Sequence, residues 1–346
     1  MVIYPIVIQI LRKMKLGITN REEATTGEKA VIFNELHKKK NGTPTMWGIV
    51  FFIVMACMIG WSRLAADYGY INHTLVSRQE TYIILFAFFG MGMLGLIDDY
   101  IKLKGITKSN GLWARFKLIY MIGCALFISY WFNIKLGVNT IDLRPIPHVL
   151  NLGRQVIELF GTSYEFSLWY ILITFFLTVS IVNAINITDG LDGLMSGMML
   201  IVLAVFGTIT FYLNWYLATA VVGIVIGILC GYLRFNINPA QIFMWDSGSL
   251  ALWWLISTLV YLISIKIWFL VPFLLLFTIF WCEVGSSLLQ ITWKKVFKRK
   301  LFLIAPVHHL FEKLGYPETN IVMRFWLVQW AIAMIVTIMM VYQFVK

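Results

Sequence analysis

Long apolar runs separated by short polar stretches recur along all 346 residues. A helix that crosses the hydrocarbon core of a bilayer needs about 20 predominantly apolar residues. Nine segments meet or approach that length: roughly 46–62, 81–97, 116–134, 167–184, 194–213, 215–233, 249–265, 267–290 and 325–344. Residues 1–11 (MVIYPIVIQIL) are apolar but too short to cross, and read as the inner end of a tenth span. Segments of about 10 residues with alternating polarity, the mark of a transmembrane barrel, do not occur. The pattern predicts an all-α polytopic integral membrane protein with about ten transmembrane helices, the first of them truncated. The stretches outside the spans (12–45, 135–166 and 291–323) are too short for a soluble domain. A single transmembrane domain over 1–346, without internal repeats, is therefore expected.

Composition agrees with this picture: 60% of residues are hydrophobic and only 13% charged, with mean hydropathy +0.80. A soluble domain carries about 25% charged residues. The formal charge is +11, and its placement matters more than its size. Of the 28 Lys and Arg residues, 21 fall in one set of alternating loops and seven in the other. The positive-inside bias makes the 21-cation side cytoplasmic, and the excess points to anionic lipid, not nucleic acid. The four cysteines lie far apart in apolar runs, without CxxC spacing, and read as small core residues.

The polar residues that remain sort to the cytoplasmic side. Asp98 and Asp99 end the span GMGMLGLIDDYIKLK, where two carboxylates oppose the helix dipole unless a cation or a proton compensates. The stretch NITDGLDG (186–193) would set Asp189 and Asp192 on one face if helical, with Asn186 and Thr188 beside them. In NINPAQIFMWDSGS (236–249), Asp246, Ser247 and Ser249 precede a span, where one of them serves as helix cap and the helix N-terminus also favours phosphate or a carboxylate-held metal. His308-His309 in PVHHLFEKLGYPE suit hydrogen bonds to phosphate or sugar; no third ligand at regular spacing supports zinc. The HKKKNGTPTMWG segment adds a lysine cluster able to hold anionic headgroups or a diphosphate. A transporter would place ionisable groups near the bilayer midplane, and these sit at span ends facing one compartment. That arrangement suits an enzyme that takes one substrate from the cytosol and another from the lipid.

Taken in order, the segments KKxGTPTM (39–46), IDDYxK (97–102), GLxARxK (111–117), NxTDGLDGL (186–194), NxxPAQxFMxDxGSLAL (236–252), APxHHxxE (305–312) and GxPE…VxRFW (315–326) resemble the phospho-N-acetylmuramoyl-pentapeptide-transferase family. The resemblance implies a ten-helix membrane fold, usually dimeric, in the bacterial inner membrane with its catalytic loops cytoplasmic. It implies Mg²⁺-dependent transfer of phospho-MurNAc-pentapeptide from UDP-MurNAc-pentapeptide to undecaprenyl phosphate, giving lipid I and UMP for peptidoglycan synthesis, and with it cell-wall biogenesis, cell shape and division. By position, it makes Asp246 the first Mg²⁺ ligand, with Asp98 and Asp99 beside the metal and lipid phosphate, and Asp98 the usual choice of general base. Asp189 lines the site, and Asp192, Asn186 and Phe243 sit near the uridine. Lys40, Thr45, Asn236, His308 and His309 complete it, and Arg115 or Lys117 holds a phosphate. The sibling enzymes that move GlcNAc-1-phosphate from UDP-GlcNAc to the same lipid share the aspartate motifs, and the His-His and GTPTM segments separate the two branches. From another class, an inactive membrane scaffold is the alternative.

The chain departs from the family pattern at three points. Leu310 stands where the family has a third histidine, and the first span is short. Trp stands where the family has Gly at positions 47, 245, 253 and 254. The largest side chain at repeated glycine sites points to a source organism that reads UGA as glycine; if tryptophan does stand there, the scaffold reading gains.

Overall fold

The computed structural model describes residues 48–104, 114–137, 162–267 and 270–345, with positions 9, 43 and 112 and three short strands, 140–142, 149–151 and 155–159. Helix α1 runs Gly48–Asp67, α2 Gln79–Lys104 and α3 Ala114–Tyr130, which continues as a wider π-turn over Trp131–Lys135. Strands β1 (Thr140–Asp142), β2 (Val149–Asn151), β3 (Gln155–Leu159) and β4 (Thr162–Phe166) follow. Then come α4 (Leu168–Thr188), α5 (Leu194–Tyr212), α6 (Tyr216–Asn236), α7 (Trp245–Ile267), α8 (Leu270–Leu276), α9 (Thr278–Phe297), α10 (Val307–Lys313) and α11 (Glu318–Val345). Eight of the described helices are long and apolar enough to cross a membrane. In hydrocarbon a backbone must satisfy its own polar groups, which helices do within one segment.

α7 is the axis of the bundle. Its apolar window is 89% buried, against 28% for α1 and 22% for α11, so it is apolar all round while the outer helices face lipid with one side. α2 lies along its length, and α1, α4 and α8 also pack against it. Gly95 sets the α2–α7 approach, since a methyl there would collide with the backbone carbonyl of Asp246.

Two expected features differ. The run 267–290 is not one helix: α8 ends at Leu276 and α9 restarts at Thr278 after the break at Phe277. Pro272 lies inside α8, and uninterrupted hydrophobicity conceals the break from a hydropathy reading. The stretch 135–166, expected only as a connection, forms two antiparallel hairpins, β1 with β2 and β3 with β4, at the end of the bundle away from the acidic motifs. Residues 1–8 and 10–11 of the short N-terminal run fall outside the described residues.

Candidate active site at one end of the bundle

Chain direction alternates from helix to helix, so the ends of α2, α4 and α6 meet the starts of α3, α5, α7, α10 and α11. Three groups of polar residues form there.

The first joins α2, α3 and α7. Asp98, Asp99 and Asp246 each present a carboxylate oxygen within 4.8 Å of the others, the only such group among the described residues. α2 runs on to Lys104, so Asp98 and Asp99 lie inside its last two turns instead of ending it, as the sequence led us to expect. The compensating charge comes from lysines. Lys102 Nζ lies 2.6 Å from Asp98 Oδ2 and 2.7 Å from Asp246 Oδ2. Lys117 Nζ reaches the same two oxygens at 2.5 and 2.6 Å. Asp98 and Asp99 have no exposed side-chain surface, whereas Asp246 keeps 30% and Lys117 25%, so the group opens outward through these two. Backbone donors fix the carboxylates: Leu112 N–H donates to Asp98 Oδ1 at 2.6 Å and Ser247 N–H to Asp99 Oδ2 at 2.9 Å. α7 begins at Trp245, so Asp246 sits in its first turn, and Asp99 from the neighbouring helix satisfies one of the donors that a local cap was expected to take.

The donor set fits a hard divalent cation. It consists of carboxylate oxygens alone, carries one more negative charge than the two lysines cancel, and includes Asp99 Oδ1, a buried oxygen without a hydrogen-bond partner.

The second group is a bracket. The residues between α4 and α5 turn instead of continuing as helix, so Asp189 and Asp192 do not share a helical face. Asp192, buried, accepts from Asn238 Nδ2 at 3.1 Å and Ala240 N–H at 3.0 Å, while its own N–H donates to Glu318 Oε1 at 2.7 Å. Glu318 Oε2 accepts from Asn238 Nδ2 at 3.1 Å. Asn236 Oδ1 accepts from Gly193 N–H at 3.0 Å, and its Nδ2 donates to the Ile242 carbonyl at 3.1 Å. The 189–193 turn, the loop leading into α7 and the start of α11 are thereby held as one unit.

The third group carries the histidines, which lie on a short helix, not in a solvated loop. His308 and Glu283 are both fully buried, with Nδ1 and Oε2 3.0 Å apart. Burial lowers His308 from its ordinary value of 6.5 against the pull of the Glu283 carboxylate beside Nδ1. His309 is paired to Glu312 at 2.5 Å, its ring tilted against that of His308. Gln290 pins the connection ahead of them, accepting from Leu301 and Phe302 N–H at 3.0 and 2.8 Å.

Of the residues expected from sequence, the structure unites Asp98, Asp99, Asp246 and Lys117, and separately Asp192 with Asn236. Asn186 is exposed one turn before the end of α4, Asp189 and Phe243 are half-buried, and Arg115 is exposed outside the carboxylate group. Lys40, Thr45 and Trp47 lie outside the described residues. Lys102, Asn238, Glu283 and Glu318 were assigned no role. Lys102 follows Asp98 at i+4 and Glu318 stands in a quoted motif, so both carried a signal. Glu283 is an acid within the apolar run 267–290.

Trp245, Trp253 and Trp254 belong to the same helix, α7. Trp245, directly before Asp246, has φ 53°, in the left-handed region that favours glycine, and its ring lies 5.5 Å from Lys102 Nζ. Trp253 and Trp254 are fully buried with unpartnered indole N–H groups.

Residues 81–265 match the family described as glycosyl transferase family 4. The chain is similar to proteins named phospho-N-acetylmuramoyl-pentapeptide-transferase in three bacteria. It is 34% identical to that of Caldanaerobacter subterraneus subsp. tengcongensis, over 93% of this chain and 89% of the relative. Identity to the Oceanobacillus iheyensis protein is 33% over 96% and 91%, and to the Clostridioides difficile protein 32% over 96% and 92%.

Proposed function

The chain belongs to glycosyl transferase family 4, among its phospho-N-acetylmuramoyl-pentapeptide-transferases, and on that premise we propose how its own residues carry out the transfer. It moves phospho-MurNAc-pentapeptide from UDP-MurNAc-pentapeptide to undecaprenyl phosphate, giving lipid I and UMP. The observation that carries the reading is the meeting of Asp98, Asp99 and Asp246 with Lys102 and Lys117 at one end of a membrane bundle. Phosphoryl transfer asks a protein for alignment and charge neutralisation more than for covalent help.

Lys102 and Lys117 screen the diphosphate as it approaches, exchanging part of their contact with Asp98 and Asp246 for phosphate oxygens. Asp98 accepts the proton of the lipid phosphate. The freed oxygen forms a bond to the sugar-side phosphorus, the bridging phosphorus–oxygen bond breaks, and UMP leaves with that oxygen. Asp246, Asp98 and Asp99 would hold Mg²⁺. When bound there, it neutralises charge developing on the diphosphate. The bracket of Asp192, Asn236, Asn238 and Glu318 keeps Asp189 and Phe243 in place for the nucleotide and sugar, and His308 and His309 face the same end. The loop charge bias supports placing this end in the cytoplasm of a bacterial inner membrane. A homodimer belongs to the same reading.

The test is UMP release by the purified full chain in detergent, with Mg²⁺ and undecaprenyl phosphate and either UDP-MurNAc-pentapeptide or UDP-GlcNAc. Release with the muramyl donor, abolished in Asp246→Ala, is expected. Release with UDP-GlcNAc alone would move the chain to the sibling branch.

A further inference from the structure

Glu283 and His308 form a fully buried acid–imidazole contact, and the catalytic account above does not use the acid. Both side chains are 0% exposed. Glu283 Oε2 meets the same residue twice, lying 3.0 Å from ring Nδ1 and accepting from the backbone N–H at 3.5 Å. The backbone contact fixes where the α10 start sits, and the ring contact fixes which nitrogen carries the proton. The other ring nitrogen, Nε2, has no hydrogen-bond partner and is buried. It lies against Gly190, where a methyl group would collide with it. A buried, unpartnered ring nitrogen thus points at the Asp189–Gly190 turn, in a ring whose opposite side is anchored by a carboxylate. An unpaired acceptor in that position costs stability unless something donates to it.

We propose that Glu283 is a positioning residue: it locks His308 in the Nδ1–H tautomer, so that Nε2 accepts a hydrogen bond from a hydroxyl or amide of the donor nucleotide-sugar at the 189–193 turn. His308 then acts as a neutral acceptor, not as a cation facing phosphate. The ionisable groups around the ring are Glu283, His309 and Glu312. Without Glu283 the ring is free to carry its proton on Nε2, which turns the acceptor into a donor toward the same substrate atom.

The identity of the nucleotide-sugar rests on the transferase reading, but the tautomer does not, so two readouts separate the claims. In full-length protein labelled with ¹⁵N-histidine, the His308 resonances, assigned by their loss in His308→Gln, show an Nδ1–H tautomer across about pH 6–8. Glu283→Leu is expected to abolish that signature and lower kcat about 100-fold, and Glu283→Gln, which keeps the shape, to give a smaller loss with an altered pH profile. Gly190→Ala, which displaces the ring from the other side, is expected to match Glu283→Leu in kcat. An Nε2–H tautomer in the wild type overturns the proposal, as do Glu283 variants with wild-type kcat and pH profile. If no UMP is released by any form, the tautomer measurement still decides the positioning claim.

A second inference rests on α7 alone. We infer that glycine occupies positions 245, 253 and 254 in the native protein. The left-handed φ of Trp245, directly ahead of a proposed metal ligand, is a conformation that glycine adopts without strain. Two adjacent indole N–H groups buried without partners are the second sign, in the most buried helix of the bundle. Translation of UGA as glycine in the source organism accounts for all three at once, and for Trp47. Peptide mass spectrometry across 241–254, on protein from the native membrane, is expected to read glycine at the three positions; tryptophan at 245 overturns the inference.

Discussion

The carboxylates at the inner end of the bundle divide into two kinds. Asp98, Asp99 and Asp246 face one another and two lysines, with more negative charge than the lysines cancel. Asp192 and Glu318, a turn and a loop away, accept from backbone and amide N–H groups, and they hold three chain segments together. Both groups stand in ordered sequence motifs and look alike in a linear reading. The difference is in what surrounds the acids: the first group holds two lysine ammonium groups beside its backbone donors, whereas Asp192 and Glu318 accept from backbone N–H groups and the Asn238 amide. Variants should therefore separate the two groups by what they damage.

The largest effect is expected in the first group. Asp98→Asn keeps the bond from Leu112 but cannot take a proton, and should lower UMP release about 10²- to 10⁴-fold. Lys117→Met, which removes one of two cations from the diphosphate site, should cost about 10²-fold in kcat/KM. Activity with unchanged kcat/KM in either would place the chemistry elsewhere.

Glu318→Ala should act on stability, lowering it by about 1–3 kcal/mol, since the Asp192 N–H loses its acceptor and the Asn238 amide one of its two. The readout is the midpoint of thermal unfolding in detergent, with activity at low temperature falling only as far as the folded fraction does.

A smaller effect comes from pH. The folded chain holds His308 below its ordinary value, so near pH 6 it binds fewer protons than the unfolded chain. Its contribution to stability is complete above about pH 6.5 and is lost as pH falls from there toward the folded value. The melting temperature should thus drop between about pH 7.5 and 5.5, and His308→Gln should remove that part of the slope. Least of all should follow from Arg115→Ala: the exposed side chain is expected to leave the rate within about threefold. A loss as deep as that of Lys117→Met would exchange the roles given to the two cations.

Much of this was legible before any coordinates. Apolar run length located the ends of α1, α3, α4, α5 and α6 to within a few residues, because a span must match the bilayer. The clustered aspartates were legible because paired acids at the end of an apolar run need a cation. The break at Phe277 was not, since Leu and Phe flank it on both sides and hydropathy does not register backbone direction. The role of Glu283 was hidden by distance along the chain: its partner lies 25 residues on, across a helix and a loop. The shared face of Asp189 and Asp192 was conditional on a helix: α4 ends at Thr188, and Gly193, at φ 77°, leads into α5, so the i, i+3 spacing falls in a turn.

The most direct test of the division is to purify Asp246→Asn and Glu318→Gln side by side and measure unfolding and UMP release on the same samples. Asn at 246 leaves two carboxylates against two lysines, so its melting temperature should equal or exceed that of the wild type while UMP release disappears. Gln at 318 sets an amide against the Asn238 amide and should melt earlier, with its folded fraction still releasing UMP. An Asp246→Asn protein that unfolds early yet turns over, beside a stable Glu318→Gln protein that does not, would contradict the account.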